Sequence, residues 1–504
     1  MPTQFSFGKI QFDVSLGTAA ARAARNDEAP FCLAIVGDFS GRSSRGVIEP
    51  ISQRRVVSLD FDQFDSVMAR LGVTLRLRVP PRLAEDIELG FASLEDFHPD
   101  RILARVAASA KMFEARKRLL DPATASGAAT ELQALVKASQ APLPAQNIST
   151  TAESNDDTLS RLLGKSSTLP APQNTPAAAG VDISSFIKGI VNPSVVPGPQ
   201  PLHTAMLAAL DMDLSGQLRS ILHQPAFQEL EAAWRGLDLL VRNFGAEENL
   251  KLFLIDISKE ELASDVKAEE DLQLTSLYKL FRKQADHQPL AAWLGQYTFG
   301  DTVEEIELLG RLAKISALAG APLIGAASPS LVGCESFGRQ PDPDDWQRPI
   351  SSAARQAWSA LRELPEGSYL GLALPRFLLR QPYGKESEAI ESFPFEELPD
   401  PRSHESYLWG NPAIVCGYLL AEAFQADGWE MRPAGYGELG DLPVHKFKQD
   451  GETEVKPCAE AWLSDRAAER IAAQGLMPLL SIKGRDAVRL MSLQSVSGKP
   501  LSIR

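Results

Sequence analysis

The stretch 221-ILHQPAFQELEAAWRGLDLLVRNF-244 predicts the fold most directly. Pro225 stands where a helix would begin, and a proline there costs no hydrogen bond because the first N–H groups of a helix have no partner. Apolar side chains then recur at helical spacing: Phe227, Leu230, Trp234, Leu237, and Leu240 with Val241. Glu229, Glu231, Arg235 and Asp238 fall on the other faces. The pattern predicts an amphipathic helix that packs its apolar face on a core.

The length and composition of the chain indicate a globular protein of two or three domains. It has 504 residues, of which 44% are hydrophobic, and its formal net charge is −14. No apolar run is long enough to span a bilayer, and the start, Met1-Pro2-Thr3-Gln4, lacks the features of a signal peptide. The negative charge argues against broad binding to nucleic acid or to anionic membranes. We therefore expect neither nucleic-acid partners nor membrane insertion.

The cysteines and histidines predict neither a metal nor a cofactor site. Four cysteines lie far apart without a CxxC pair, among apolar or small residues: Cys32, Cys334, Cys416 and Cys458. Buried free thiols are the expected state, which fits a cytoplasmic location. The six histidines are equally scattered. We expect no metal and no cofactor.

The N-terminal region begins with a predicted strand on a tether. In Phe5–Leu16 the side chains of Ile10, Phe12, Val14 and Leu16 alternate with polar ones, which is typical of a half-buried strand. The Ala/Arg-rich spacer 17–27 follows, so this strand either pairs at a distance or forms an edge strand of the local sheet. Phe31–Val36 predicts a buried strand, but the following GDFSGR lacks the spacing of a phosphate-binding loop.

A linker composition separates two parts of the chain. Residues 121–201 are rich in Ala, Ser, Pro and Gln and end in a proline-rich run. Three short amphipathic islands lie inside this tract: 131–138, 158–164 and 183–191. Such islands are either docking segments that fold on contact or stretches of residual helicity without a partner.

Several motifs resemble the contractile sheath of the type VI secretion system. The string 221–244 is similar to the signature helix of the large sheath subunit, TssC, as are PRFLLRQPYG (375–384), SYLWGN (406–411) and KPCAE (456–460). The segments VGDFSGR (36–42), 61–68 and SLEDFHPD (93–100) resemble successive landmarks of the small subunit, TssB. The chain is thus similar to a fusion of two subunits that are normally separate.

This resemblance implies the domains and the fold. We expect a TssB-like domain over residues 1–120, a flexible linker over 121–200 and a TssC-like domain over 201–504, with the C-terminal end of TssC missing. The implied fold class is α/β (mixed α+β): two sheath-type lobes packed together, with mixed sheets flanked by helices. Phe227, Leu230, Trp234, Leu237 and Trp409 are the expected inter-lobe or core anchors.

The resemblance also implies a structural function and its partners. Sheath protomers form helical tubes around an inner tube, are joined by strand exchange and are dismantled by an AAA+ ATPase. Ile10, Phe12, Val14 and Leu16 are the strand-exchange candidates. We expect partners among TssB/TssC subunits, the inner tube, the baseplate and the ATPase. The apparent truncation favours a protomer that ends, starts or regulates a lattice over one that builds it; the alternative is an adaptor to ATPase or baseplate outside the lattice.

No residue pattern predicts catalysis. Asp38, Asp256 with Glu260 and Glu261, and Glu391 with Glu396 and Glu397 are acidic groups near turns and helix starts, where carboxylates commonly cap free N–H groups. We therefore predict a non-enzymatic protein with no catalytic residues. Arg376, Arg380 and Tyr383 are predicted instead to be interface residues.

Overall fold

The computed structural model describes residues 5–10, 29–78, 86–139, 199–432, 437–449 and 451–503. Within the predicted N-terminal strand, Phe12, Val14 and Leu16 lie outside the described residues. The same holds for the islands 158–164 and 183–191. The account that follows concerns the described part of the chain.

Fifteen short strands are present in the described residues. Their bounds are β1 Phe31–Gly37, β2 Val57–Leu59, β3 Val73–Leu77, β4 Ile87–Phe91, β5 Leu250–Asp256, β6 Ala292–Phe299, β7 Leu323–Ala327, β8 Leu370–Leu374, β9 Phe377–Leu378, β10 Trp409–Gly410, β11 Glu438–Leu439, β12 Lys446–Gln449, β13 Glu452–Val455, β14 Met477–Ser481 and β15 Val488–Leu490. The predicted buried strand at Phe31–Val36 is confirmed as β1, in which all seven residues are buried.

The α-helices include the one predicted from the opening stretch. Their bounds are α1 Arg42–Arg45, α2 Phe64–Leu71, α3 Pro99–Arg105, α4 Ala107–Leu120, α5 Ala125–Ser139, α6 Pro199–Leu222, α7 Pro225–Phe244, α8 Lys259–Ala268, α9 Ser276–Ala285, α10 Val303–Ala319, α11 Ser352–Glu363, α12 Ala413–Asp427 and α13 Asp465–Ala473. Helix α7 begins at Pro225 as predicted.

The central feature is a nine-stranded mixed sheet in the order β11-β15-β14-β8-β7-β6-β1-β5-β2. Strands β14, β8, β7, β6, β1 and β5 pair in parallel, whereas β2, β15 and β11 pair antiparallel to their neighbours. The parallel strands are almost entirely buried, as expected when both faces of a parallel sheet are covered. The predicted mixed α/β class is confirmed.

The N-terminal part of the chain contributes one strand, β1, to the interior of this sheet and another, β2, to its edge. Strand β1 lies between β5 and β6, with Phe31 opposite Leu250 and Leu33 opposite Ala292. Accordingly, one compact unit consists of Met1–Val106 together with Gln217–Arg504, and Ala107–Gly216 forms a second unit. The N-terminal and C-terminal parts of the chain therefore share one sheet.

The second unit contains helices in a region predicted to be linker. Within it, Leu119 of α4 packs with Ala128 and Ala129 of α5, and Leu207 and Leu210 of α6 pack against this cluster. Arg116 Nε donates to Asp211 Oδ1 at 2.5 Å. The predicted flexible linker is therefore helical over Ala125–Ser139, where an alanine-rich composition favours helix and apolar spacing allows packing. The island 131–138 is part of this helix.

The shared sheet predicts the behaviour of a cleaved chain. If a protease site is inserted between residues 140 and 198 and cut, we expect the two fragments to stay together, because β1 is hydrogen-bonded on both sides by strands of the other fragment. Gel filtration of the cut protein, with uncut protein as the control, measures this. Separation of the fragments in native buffer would contradict the shared sheet.

Candidate functional site

A buried cluster of charges joins the two parts of the chain at the end of β1. Arg42 of α1 donates its Nε to Glu261 Oε1 at 2.9 Å and its Nη2 to Glu261 Oε2 at 2.9 Å. Its Nη1 also pairs with the carboxylate of Asp256. Arg42, Asp256 and Glu261 are only 4%, 7% and 2% exposed. This bidentate geometry is the strong form of an arginine–carboxylate contact.

Local sequence explains why these groups meet. The parallel pairing of β1 with β5 brings Gly37 opposite Asp256, so the loop after each strand starts at the same edge of the sheet. Asp256 Oδ1 accepts the backbone N–H of Phe39 and of Ser40, at 2.9 and 3.1 Å. Glu261 belongs to a capping box with Ser258 at the start of α8. The loop therefore holds Arg42 directly over two carboxylates.

The tight turn that brings Arg42 to the two carboxylates depends on a glycine. Gly41 has a φ of +73°, and a Cβ there would lie 2.5 Å from the carbonyl oxygen of Thr74. Residues with side chains rarely adopt that conformation, and the contact leaves no room for one. The GDFSGR motif is thus a tight turn that positions an arginine, which agrees with the lack of a phosphate-binding pattern in the sequence.

The electrostatics of the cluster favour the charged forms. Burial raises the pKa of Glu261, but hydrogen bonds from Arg42 and from the Ser258 and Glu49 amides outweigh it, so the pKa lies below its usual range. Burial lowers the pKa of Arg42, whereas Glu261 and Asp256 raise it, with a net rise. The cluster is consequently an ion-pair junction rather than an acid–base pair poised near neutral pH.

Aromatic side chains form the second part of the junction. Trp234 of α7 is fully buried and donates its Nε1–H to the carbonyl of Phe39 at 2.9 Å. Its ring meets those of Phe39 and Phe64 edge to face, at 5.3 and 5.6 Å. Phe227 meets Phe97 at 5.6 Å in the same way. The signature helix therefore packs on the N-terminal part of the chain through these two side chains.

The remaining predicted anchors are buried, but in different places. Leu230 and Leu237 are 3% and 0% exposed. Trp409 packs in a separate cluster with Leu378, Leu398 and Tyr407, and donates to the carbonyl of His404. Phe227 and Trp234 thus lie at the junction of the two parts, whereas Trp409 anchors a local core.

Arg380 and Tyr383, two of the three residues predicted to lie at an interface, are buried among the described residues. Arg380 and Tyr383 are 6% and 1% exposed. Arg380 donates to Glu231 at 2.8 Å and to Glu397 at 2.7 Å, and the Tyr383 amide donates to Glu397. These side chains are therefore internal. The third candidate, Arg376, keeps 37% of its side chain exposed while pairing with Glu460 and Glu405.

Glu231 is a buried charge on α7 whose burial the helical pattern does not reveal. The pattern places it outside the apolar stripe, yet it is fully buried and pairs with both Arg235 and Arg380. A carboxylate at this depth needs a cationic partner because burying an unpaired charge is very costly. One such partner, Arg380, lies in the PRFLLRQPYG motif. Sequence spacing alone cannot show that residues 149 positions apart are in contact.

This buried pair predicts the pH dependence of stability. Burial raises the pKa of Glu397, but the opposing effects of Arg380, His223 and the Tyr383 amide are larger. The net result is a pKa lowered from the ordinary 4.5 to about 2. A lowered folded-state pKa contributes stability that is complete above pH 4.5 and is lost as the pH falls towards 2. The difference corresponds to about 3 kcal/mol. Urea unfolding at pH 7 and at pH 3 should show about 2 kcal/mol of this loss, because the remainder is lost only below pH 3.

Glu397→Gln removes the titrating group, so its unfolding free energy should fall less steeply between pH 4.5 and pH 3 than that of the wild-type protein. Glu386→Gln is the matched control because Glu386 is exposed and has no ion pair among the described residues. An equal pH slope for Glu397→Gln and the wild-type protein would rule out this contribution.

A third cluster has donor atoms of the types that bind metals. The side chains of His404, Glu405 and Glu460 place ligand atoms within 4.8 Å of one another. However, Arg376 pairs with both carboxylates, and Lys456 Nζ lies 3.1 Å from His404 Nδ1. Arg376 and Lys456 thus already contact the three candidate ligand side chains, and these contacts form a network of ion pairs and hydrogen bonds.

The N-terminal segment 5–10 is attached to α10 rather than forming a continuous strand. The only bridge within it joins Lys9 to Asp271, and the Lys9 amide donates to Glu270 at 2.8 Å. Phe7 covers Gly310, and Lys314 donates to the Gly8 carbonyl at 2.9 Å. Within Phe5–Ile10, Lys9 alone forms a β-bridge. The described part of the predicted strand is therefore not continuous.

Other features agree with the expectations from composition. The four cysteines are free and buried, and burial raises the pKa of Cys416 to about 12. Among the described helices, none combines the length and apolarity that a membrane crossing requires. Asp38 accepts the amides of Arg42 and Ser43 at the start of α1, as expected for a capping acid.

Comparison with known proteins assigns the chain to a class of contractile tail sheath proteins. The family described as VipB: EvpB/VC_A0108, tail sheath N-terminal domain, matches residues 204–497, and the chain belongs to this family. A second family, described as type VI secretion system, VipA, VC_A0107 or Hcp2, matches residues 9–141. The predicted resemblance to a fused TssB–TssC chain is confirmed.

Two curated proteins of Pseudomonas aeruginosa are similar to the two parts. The type VI secretion system sheath protein TssC1 is 36% identical over 302 residues, which are 58% of this chain and 61% of TssC1. The type VI secretion system sheath protein TssB1 is 24% identical over 157 residues, 30% of this chain and 87% of TssB1. The chain therefore spans less than two thirds of the length of TssC1.

Proposed function

We propose that this chain is a non-enzymatic structural component of a type VI secretion contractile apparatus, in which its two sheath-like parts act as one building block. The observation that carries the proposal is the shared sheet, in which β1 of the TssB-like part lies between two strands of the TssC-like part. Two parts that share main-chain hydrogen bonds and a buried ion cluster move as one body, which a protomer under mechanical load requires.

The N-terminal segment supports a role in strand exchange. Phe7 and Gly8 contact α10, and in the sequence Ile10, Phe12, Val14 and Leu16 form an alternating pattern that follows these contacts. An alternating strand that follows a fixed point can add to an open sheet edge of a neighbouring copy. We assign donation to Ile10, Phe12, Val14 and Leu16.

One edge of the sheet is suited to accept such a strand. At this edge β11 pairs with β15 over only two residues, Glu438 and Leu439. A groove of about 260 Å³ lies beside it, between α12 and the end of β15. Leu419, Leu420, Leu490 and Leu493 line this groove. Alternate side chains of an added strand would be covered by these leucines, and its backbone would complete the edge.

Electron microscopy with and without TssB and TssC subunits tests the proposal. We expect the chain to co-assemble with these subunits, and the double variant Phe12→Asp/Val14→Asp to lose this co-assembly. Gln11→Asp/Ser15→Asp is the matched control, because it changes charge on the opposite side of the alternating pattern. Long tubes formed by the chain alone would identify a lattice-forming protomer, whereas shortened mixed tubes would identify one that ends a lattice.

The same samples distinguish an adaptor from a sheath component. Stoichiometric binding to an AAA+ ATPase or to a baseplate protein, without entry into tubes, would replace the sheath role by that of an adaptor. Equal co-assembly of the Phe12→Asp/Val14→Asp and control variants would remove strand donation from the proposal while leaving the structural role intact.

A further inference from the structure

A pocket of about 520 Å³ lies where α11 and α13 meet the loop before α11. Four arginines line it: Arg348, Arg355, Arg362 and Arg470. The one carboxylate in its lining, Asp301, is paired with Arg348 at 2.6 Å. The pocket thus presents an excess of positive charge, although the chain as a whole carries a formal charge of −14.

Three of these arginines are oriented by carbonyl groups rather than by acids. Arg355 donates to the Ile350 carbonyl at 3.1 Å, and Arg362 donates to that of Val496 at 3.0 Å. Arg470 donates to the Pro343 carbonyl at 2.7 Å and stacks over the ring of Trp346. Within the described residues no carboxylate lies within ion-pair distance of these three side chains. Carbonyl groups fix a guanidinium in place without cancelling its charge, so the pocket is prepared for an anion.

The spacing on α11 indicates the shape of that ligand. Arg355, Trp358 and Arg362 follow each other at helical spacing and so lie on one face of α11. The two arginine positions are seven residues apart, which corresponds to roughly 10 Å along a helix. In an extended peptide, residues three positions apart are also separated by roughly 10 Å. A single phosphate group is too small to bridge that distance.

We propose that this pocket binds an extended acidic segment of a partner protein, with two carboxylates three residues apart. One carboxylate pairs with Arg355 and the other with Arg362. An apolar side chain between the acids packs on the aromatic and aliphatic part of the lining, which includes Trp346 and Ile350. The assignment is independent of strand exchange, since this pocket and the groove beside β11 share no lining residue.

Fluorescence anisotropy with a labelled peptide, Gly-Glu-Leu-Ala-Glu-Gly, tests the proposal on the full chain. We expect saturable binding that weakens as salt increases, and at least tenfold weaker binding of the Gly-Gln-Leu-Ala-Gln-Gly peptide. Arg355→Gln should reduce the affinity about tenfold, because it removes one of the two guanidinium groups that pair with the acids. Arg282→Gln is the matched control, an exposed arginine on α9 without an ion pair among the described residues.

The outcomes separate the proposal from its alternatives. Arg355 is exposed, so Arg355→Gln should keep the circular dichroism spectrum and melting temperature of the wild-type protein, and a loss of binding is then local. Equal binding of the acidic and the glutamine peptide, or equal affinities of Arg355→Gln and Arg282→Gln, would overturn the assignment. Displacement of the peptide by inorganic phosphate at equal affinity would overturn it too, in favour of a site for a small anion.

Discussion

Replacing Trp234 by alanine is expected to lower the free energy of unfolding by about 3–5 kcal/mol, the range for removing a large buried aromatic side chain. The side chain is fully buried, contacts the rings of Phe39 and Phe64 and bonds the Phe39 carbonyl. The substitution removes apolar contact from both parts of the chain and leaves a buried carbonyl without its donor. Chemical denaturation monitored by circular dichroism measures the change.

Two further variants define the origin of this effect. Trp234→Phe keeps most of the apolar volume but loses the N–H donor, so we expect an intermediate loss of about 1–3 kcal/mol. Trp462→Ala is the matched control, because Trp462 is 43% exposed and its removal should change stability by less than about 1 kcal/mol. A loss for Trp234→Ala no larger than that of the control would show that the signature helix does not join the two parts.

The second large effect is expected at the buried ion cluster. Arg42→Ala leaves the carboxylates of Asp256 and Glu261 buried without their main cation, which costs about 3–5 kcal/mol in comparable cases. Arg42→Lys should recover part of the loss because it restores the charge but not the bidentate geometry. The free energy of unfolding at pH 7 is the measured quantity.

A surface pair provides the comparison for Arg42. Arg485 bonds Glu438 at 2.6 Å, with side chains 58% and 38% exposed, so Arg485→Ala should cost no more than about 1 kcal/mol. Similar losses for Arg42→Ala and Arg485→Ala would mean that the junction depends on apolar packing alone.

Elements with a strong local pattern could be predicted from the sequence. Helix α7 follows from its apolar spacing and its proline, and β1 follows from a continuous apolar run that stops at a glycine turn. The capping role of Glu261 follows from its position three residues after Ser258. These features depend on residues close together in the chain, which is why periodicity and spacing reveal them.

The pairing of distant elements could not be predicted in this way. The sequence of β1 does not show that this strand lies between β5 and β6. A buried parallel strand has the same continuous apolar pattern at any interior position of a sheet. The ion-pair partners of Arg42 and Arg380 could not be predicted for the same reason, since they lie 219 and 149 positions away. Helix α5 was anticipated only over 131–138, because the alanines, serines and glycine around that island also fit a linker composition.

The interior position of β1 has a consequence for how the sheet is completed. Where two polypeptides must meet to complete one sheet, the fraction of complete sheets falls on dilution. Here the completing strand is covalently attached, so its effective concentration depends on the connecting chain and not on expression level. Each molecule also carries both parts in a one-to-one ratio, so neither part is left with an unfilled position inside its sheet.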